Sequence, residues 1–171
     1  MPLSQATLIN SSDPSTTLNH LLDNVNQILK RARGEMFAPL EQVLHQAFAE
    51  AERQCMQQLM ETFDWDYPTF NSGGELYFQS SRNNKRYMTL AGEVTIERSL
   101  YRTERNGPTF SPLELNTGLI EGFWTPQAAK QAIHLVSQLT PVEAEGIFKE
   151  FGLMAPSKSS LDRLPKKLNP F

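Results

Sequence analysis

The stretch Glu93-Val-Thr-Ile-Glu-Arg-Ser-Leu-Tyr-Arg-Thr103 alternates between polar and apolar side chains. A period of two is typical of a strand with one buried face. The apolar side chains Val94, Ile96 and Leu100 would share one face of that strand, and the polar side chains Glu93, Thr95, Glu97 and Ser99 would share the other. The pattern therefore predicts that this part of the chain belongs to a sheet.

Two shorter strand patterns precede this one and complete a predicted antiparallel meander over residues 75–105. The first begins at Glu75 and ends before the pair Asn83-Asn84, which tolerates the positive φ angles of a tight turn. The second covers Tyr87 to Leu90, and Ala91-Gly92 turns the chain into the third. We therefore expect a small three-stranded antiparallel sheet.

The sequence before the meander predicts a helical hairpin over residues 14–70, which follows a flexible tail at residues 1–13. A helix start signal, Ser12-Asp13-Pro14-Ser15, precedes apolar residues at helical spacing, and Gly34 ends that helix. A second apolar pattern predicts a helix from about Phe37 to Phe63. Such helices can bury their apolar stripes against each other or against a second copy of the chain.

The sequence after the meander predicts an irregular connector over residues 106–124 and a helix-turn-helix-like helical domain over residues 125–168. Thr125-Pro126 and Thr140-Pro-Val-Glu143 are helix start signals, and the latter is a full capping box. Ser157 can cap a third helix, which Pro165 would end or kink. The predicted fold class is α+β, mainly α.

Composition restricts the class of protein. The 171 residues carry a formal net charge of −3 and a single cysteine, Cys55, which excludes an internal disulfide. We therefore expect a reducing, cytoplasmic location. No apolar run approaches the about 18 residues of a spanning helix, so we expect no membrane partner. Residues 82–105 and 157–171 each carry a charge of +3, with six basic against three acidic and four basic against one acidic side chains.

The sequence shows no catalytic constellation. The three histidines lie far apart without metal-ligand spacing, and no glycine-rich phosphate loop is present. We expect no enzyme activity, no metal and no cofactor.

Charge alone leaves two interpretations of the positive segments open, local anion-binding surfaces and ordinary solvated faces, whereas the helix-turn-helix pattern favours contacts with double-stranded DNA. The second helix of a helix-turn-helix enters the major groove, where its first side chains reach base edges and basic side chains reach phosphates. The candidate DNA-binding residues on the last helix are Ser157, Lys158, Ser159, Ser160, Arg163, Lys166 and Lys167. The candidate phosphate contacts on the sheet are Arg82, Lys85, Arg86, Arg102 and Arg105, together with Arg98. Because Arg98 and Arg102 share a strand face with apolar residues, a structural role is open for both.

Three segments carry a resemblance to a known family. Thr89-Leu-Ala-Gly-Glu-Val-Thr-Ile-Glu-Arg-Ser-Leu-Tyr-Arg102 resembles a string found ahead of the catalytic core of bacterial insertion-sequence transposases. Pro112-Leu-Glu114 and Ser157-Lys-Ser-Ser-Leu-Asp-Arg-Leu164 are similar to motifs that follow it. The resemblance covers roughly residues 75–168, and this region resembles the ISKra-type transposases of the DDE superfamily.

The resemblance implies a function in transposition and DNA recombination. It implies a DNA-binding N-terminal module that recognises transposon ends, truncated before the metal-binding RNase-H-like domain that carries the family's chemistry. No residue here matches that domain, so the resemblance assigns no catalytic residue. Two alternatives stay open: a scaffold protein that self-associates as a homodimer through its helical hairpin, and an inactive transposase remnant.

Overall fold

A computed structural model describes residues 14–32, 34, 36–151 and 154–168, with side chains described up to Leu164. Within these residues the chain forms six helices and one three-stranded antiparallel sheet. This confirms the predicted α+β class with a helical majority. No helix in this part of the chain is long and apolar enough to cross a membrane.

The first two helices form the predicted hairpin. Helix α1 covers Pro14–Arg31 and helix α2 covers Phe37–Glu61. The start of α1 lies beside the end of α2, where Gln58 donates a hydrogen bond of 3.2 Å to the Thr17 hydroxyl. The two helices are therefore antiparallel. The predicted tail and the predicted cap residue Asp13 lie outside the described residues.

The sheet begins earlier than predicted, and its first turn was placed wrongly. Its strands are β1 (Thr69–Ser72), β2 (Glu75–Thr89) and β3 (Gly92–Arg102), in that order across the sheet. Strand β2 runs straight through Asn83-Asn84, where Asn83 faces Arg98 and accepts a hydrogen bond from its Nε at 3.2 Å. The turn lies instead at Gly73-Gly74, with φ angles of 61° and 85°. Two glycines adopt positive φ without the steric cost that asparagine pays.

Strand β3 is buried on both faces along part of its length. Val94 and Ile96 are buried as predicted, but Ser99, which the alternation placed on the polar face, is buried too. The segment after α2 covers that face, since Tyr101 shares the face with Ser99 and its hydroxyl accepts a hydrogen bond of 3.0 Å from the Tyr67 N–H. A single-strand pattern cannot reveal cover that comes from another segment.

The connector contains a helix that the sequence analysis did not predict. Helix α3 covers Pro112–Thr117, with proline in its first turn and Gly118 in the left-handed conformation at its end (φ 62°). Proline and glycine at these two positions are the usual start and stop signals of a helix. The segment is only six residues long, which is too short for a period of 3.6 to show.

Three helices complete the chain: α4 (Pro126–Val136), α5 (Pro141–Phe151) and α6 (Lys158–Leu168). The predicted capping box is present, since the Thr140 N–H donates to Glu143 at 2.9 Å and the Glu143 N–H donates to Thr140 Oγ1 at 3.4 Å. Pro165 does not end α6, which continues to Leu168. A proline removes one backbone hydrogen bond, and packing of the preceding turn can offset that loss.

Two apolar clusters form the core. One lies between α2, the sheet and α3, and contains Met60, Tyr87, Val94, Ile96 and Leu113. The other lies between α4, α5 and α6, and takes in Met88 from the end of β2 and Trp124 from the connector. The end of the β2–β3 hairpin is therefore part of the core of the C-terminal helices.

Candidate nucleic-acid interface

Helix α6 packs against the core with one face and exposes the other among the described residues. Leu161 and Leu164 are fully buried, in a cluster with alanines of α4 and with Phe148 of α5. Lys158, Ser159 and Arg163 are exposed. The sequence-predicted polar residues of this helix therefore share the side that points away from the core.

The N-terminus of α6 is closed by Ser157. The Ser160 N–H donates to Ser157 Oγ at 3.3 Å, and the two hydroxyl oxygens lie 3.1 Å apart. The Lys158 N–H donates to the Glu145 carboxylate of α5 at 3.2 Å. A hydrogen bond from the Lys149 ammonium holds the pKa of Glu145 below its usual value. Ser157 and Ser160 thus contribute their hydroxyls to the cap, whereas Ser159 is exposed and does not take part in the cap.

Arg163 lies one turn further along α6, on the side of Ser159. Its Nε donates to the Ser159 carbonyl oxygen at 3.1 Å, which orients the guanidinium and leaves the side chain exposed. Asp162 is exposed beside it and adds one negative charge. Lys166 and Lys167 belong to the same helix, but their side chains lie outside the described part of the structure.

The charge of the C-terminal helices differs in sign from that of the rest. Residues 125–168 carry six basic and four acidic side chains, or +2, whereas residues 1–124 carry ten and fifteen, or −5. A local excess of positive charge is the electrostatic requirement for a surface that approaches phosphates.

Four of the five cations on β2 and β3 are paired with carboxylates. Arg82 contacts Asp66 at 2.5 Å and Glu97 at 3.5 Å, which places the guanidinium between the segment after α2 and strand β3. Arg86 contacts Glu93 across the hairpin at 3.2 Å. These contacts neutralise charges that the sequence analysis assigned to phosphates.

Glu114 is the shared partner in the most buried of these ion pairs. Its Oε1 accepts hydrogen bonds from Lys85 at 2.6 Å, from the Arg98 guanidinium, and from the Tyr87 hydroxyl at 3.2 Å. The Arg98 side chain is only 13% exposed. Burial raises the pKa of Tyr87, so its hydroxyl keeps the proton that it donates. Arg98 has the structural role that its strand face left open.

The remaining two cations of the sheet region differ in their surroundings. The guanidinium of Arg102 lies 5.7 Å from the centre of the Phe78 ring, at a distance typical of a cation–π contact. Arg105 is exposed in the segment after β3. Of the two, Arg105 is the better placed to meet an external anion.

Sequence reasoning missed Glu114 as the partner of Arg98. The two residues belong to two different segments that carry the transposase resemblance, the strand string and Pro112-Leu-Glu114. The order of two segments along the chain does not reveal that they are in contact in the fold. The available signal was a lone acidic residue in a short apolar motif, 16 residues after an arginine on a half-buried strand.

Other residues of the string Thr89–Arg102 also have structural roles in the fold. The Thr89 hydroxyl donates to the Gly92 carbonyl at 2.8 Å and accepts from the Ala91 N–H at 3.2 Å, which forms the β2–β3 turn. Gly92 has a φ angle of 101°. The fully buried Tyr101 hydroxyl accepts from the Tyr67 N–H at 3.0 Å and fixes the segment ahead of β1.

No group of three or more His, Cys, Asp or Glu side chains among the described residues could hold a metal ion. No protein-family model, curated protein or solved structure matches the chain.

Proposed function

We propose that this chain binds double-stranded DNA through the exposed face of α6, as the DNA-binding module of a transposase-like protein that recognises transposon ends. One observation carries the proposal: α6 is braced from behind by Leu161 and Leu164 and presents Lys158, Ser159 and Arg163 outward. A braced helix with polar side chains at its N-terminus is the element that helix-turn-helix proteins place in the major groove.

The positions along α6 suggest a division of roles. Lys158 and Ser159 stand in the first turn, from which side chains of a recognition helix reach base edges. Arg163 stands about 6 Å further along the axis at 1.5 Å per residue, where a guanidinium meets a phosphate of the groove wall. Ser157 and Ser160 support this turn as the cap and do not need to contact DNA themselves.

The sheet contributes less to this interface than its composition suggested. The pair of Arg86 with Glu93 is exposed and easily broken, so Arg86 stays a predicted phosphate contact in this proposal. The ion pairs of Arg82 and Lys85 are partly buried, so these two cations support the fold. Arg102, beside Phe78, belongs with them, and Arg105 stays a predicted phosphate contact. We assign no catalytic role to any residue, and expect the module to act in the cytoplasm, where its DNA target lies.

Binding of a fluorescently labelled duplex of random sequence, followed by anisotropy at increasing salt, tests the proposal. A phosphate contact adds about one to the slope of log affinity against log salt, so Arg163→Glu should lower affinity and reduce that slope by about one. Lys130→Glu is the matched control, because Lys130 is an exposed cation on α4 and its replacement changes the net charge equally.

Two results would contradict the proposal. One is the absence of any binding at low salt, where the electrostatic contribution is largest. The other is an equal loss in the two variants, since that would reflect net charge alone and not the face of α6. If the protein binds the duplex, selection of the bound sequences from the random pool distinguishes recognition of a specific site from general affinity for phosphate.

A further inference from the structure

The helical hairpin carries a second apolar surface that lies beside the seam between its two helices. The seam is marked by the hydrogen bond between Gln58 and Thr17, and by a cavity between the helices that Leu21 and Ala51 both line. Large apolar side chains occur one position after seam residues: Leu18 after Thr17, and Leu59 after Gln58. Each such step turns about 100° around its helix, always in the same sense.

In an antiparallel pair of helices, side chains that lie about 100° after the seam in the chain direction are on the same side of the pair in both helices. Six exposed apolar residues of α1 and α2 therefore lie on one side of the hairpin and form a surface that we call the apolar face. Its members are Leu18, Leu22, Leu29, Phe37, Phe48 and Leu59, each between 53% and 76% exposed. The opposite side is polar, since Glu50 accepts hydrogen bonds from Arg53 at 2.6 and 2.8 Å and from Gln54 at 2.8 Å.

The area of the apolar face matches what a dimer needs. Six large side chains with more than half of their surface exposed offer roughly 700 Å², above the about 300–600 Å² of the largest patch on a typical monomer. A standard interface buries about 800 Å² on each partner. The apolar face alone supplies most of one half of such an interface.

We infer that the apolar face binds the same face of a second copy of this chain, so that the two hairpins form a four-helix bundle. This inference is independent of the proposed DNA binding. A surface that pairs with itself about a two-fold axis must be self-complementary in charge. Beside the apolar face, α1 carries the uncharged residues Asn19 and Asn26, whereas α2 carries the acidic residues Glu41 and Glu52.

The charges select one arrangement of the two copies. If α1 lies over the partner's α2, uncharged amides meet carboxylates; if α2 lay over the partner's α2, the carboxylates of the two copies would repel each other. The favoured arrangement has its two-fold axis parallel to the helices. Because α2 contacts β3 and α1 is the outer helix, it also sets the two sheets on opposite sides of the bundle.

Cys55 provides an internal probe of the apolar face. It follows the seam residue Gln54, so it lies on this face, and its thiol is exposed in the single chain. Pairing of two apolar faces would cover the thiol and slow its alkylation by a maleimide. Dilution of the protein should restore fast alkylation, because dissociation of the pair depends on concentration.

Sedimentation equilibrium of the full chain gives the direct test. We expect a mass of twice 19.4 kDa at high concentration. Phe48→Glu places a charge in the centre of the pair and should raise its dissociation constant about tenfold or more. Val43→Glu is the matched control, because Val43 is on the same helix and 48% exposed. Val43 precedes a residue of the seam instead of following one, so it lies on the side of the hairpin opposite the apolar face.

Three results would overturn the inference. They are a single-chain mass at every concentration, equal dissociation by Phe48→Glu and Val43→Glu, and slow alkylation of Cys55 in a protein that sediments as one chain. The last result would mean that another segment of the same chain covers the apolar face. The alkylation experiment uses the unchanged sequence, so it decides the matter even if Phe48→Glu fails to fold.

Discussion

The Arg98 guanidinium donates to the Glu114 carboxylate and so joins the middle of β3 to the first turn of α3. Lys85 from β2 donates to the same oxygen at 2.6 Å, which makes Glu114 the single acceptor between two strands and one helix. Removal of one partner from a buried ion pair leaves the other charge without compensation. Glu114 therefore joins α3 to both β2 and β3 through its side chain.

Glu114→Gln should lower the free energy of unfolding by about 2 kcal/mol, somewhat less than for a fully buried pair because Glu114 is partly exposed. Urea denaturation at neutral pH measures the change. Glu93→Gln is the control, because it removes the partner of the exposed Arg86 and should cost less than about 1 kcal/mol. Equal losses in the two variants would argue against a special role for Glu114.

The pH dependence of stability should reveal Asp64. Burial raises its pKa above the ordinary value of 3.8, although the Ser99 N–H opposes the shift. The folded protein therefore binds this proton more tightly than the unfolded chain. The resulting contribution to stability is complete below pH 3.8 and is lost as the pH rises through the folded pKa.

Asp64→Asn removes this titration. The free energy of unfolding of the variant relative to the parent should rise from acid to neutral pH, because only the parent buries an ionised carboxylate at neutral pH. Denaturation curves recorded across the acid range give the difference directly. A difference that stays constant over this range would show that Asp64 titrates alike in the folded and unfolded chains.

Gly92→Ala should destabilise the β2–β3 turn. The φ angle of 101° at Gly92 lies in a region that a side chain rarely adopts, and such strain costs on the order of 1–3 kcal/mol. Thermal unfolding measures the loss. The same substitution at Gly146 should have the opposite sign, because this residue lies within α5 with open space around it, where alanine gains roughly 0.5–1 kcal/mol over glycine.

Leu161→Ala tests how α6 is held. Leu161 is fully buried, so truncation leaves a cavity and should cost about 2–5 kcal/mol in the free energy of unfolding. Leu115→Ala on α3 is the comparison, since Leu115 is 68% exposed and its truncation should change stability by less than about 1 kcal/mol. A small effect at Leu161 would mean that α6 is only loosely attached.

Five of the six helices of the described residues could be predicted from the sequence because their signals are local, whereas α3 is too short to show a helical period. The capping box of Thr140 and Glu143 and the apolar period of α2 both act within a few residues of the chain. The failures share the opposite property. Asn83-Asn84 can form a turn on its own, but β3 offers it a continuous strand partner, and Gly73-Gly74 makes the turn at lower cost.

The candidate interface could be predicted in part for the same reason. The amphipathic pattern of α6 identifies both its buried leucines and its exposed polar residues. The roles of the sheet cations could not be read from the chain, because Asp66 and Glu114 reach Arg82 and Arg98 from other elements. A cation in a sequence has no visible partner until the fold supplies one.

Met88 belongs to a sheet strand, yet its side chain is part of the core of the C-terminal helices, where Trp124 joins it. Its backbone also bonds to the connector on both sides, with the Met88 N–H to Phe123 at 2.8 Å and the Thr125 N–H to Met88 at 2.9 Å. Anyone who grafts α4–α6 onto another scaffold must carry the tip of the β2–β3 hairpin with them. Evolution would face the same restriction, and could change the exposed face of α6 by point substitutions more readily than by exchanging whole modules.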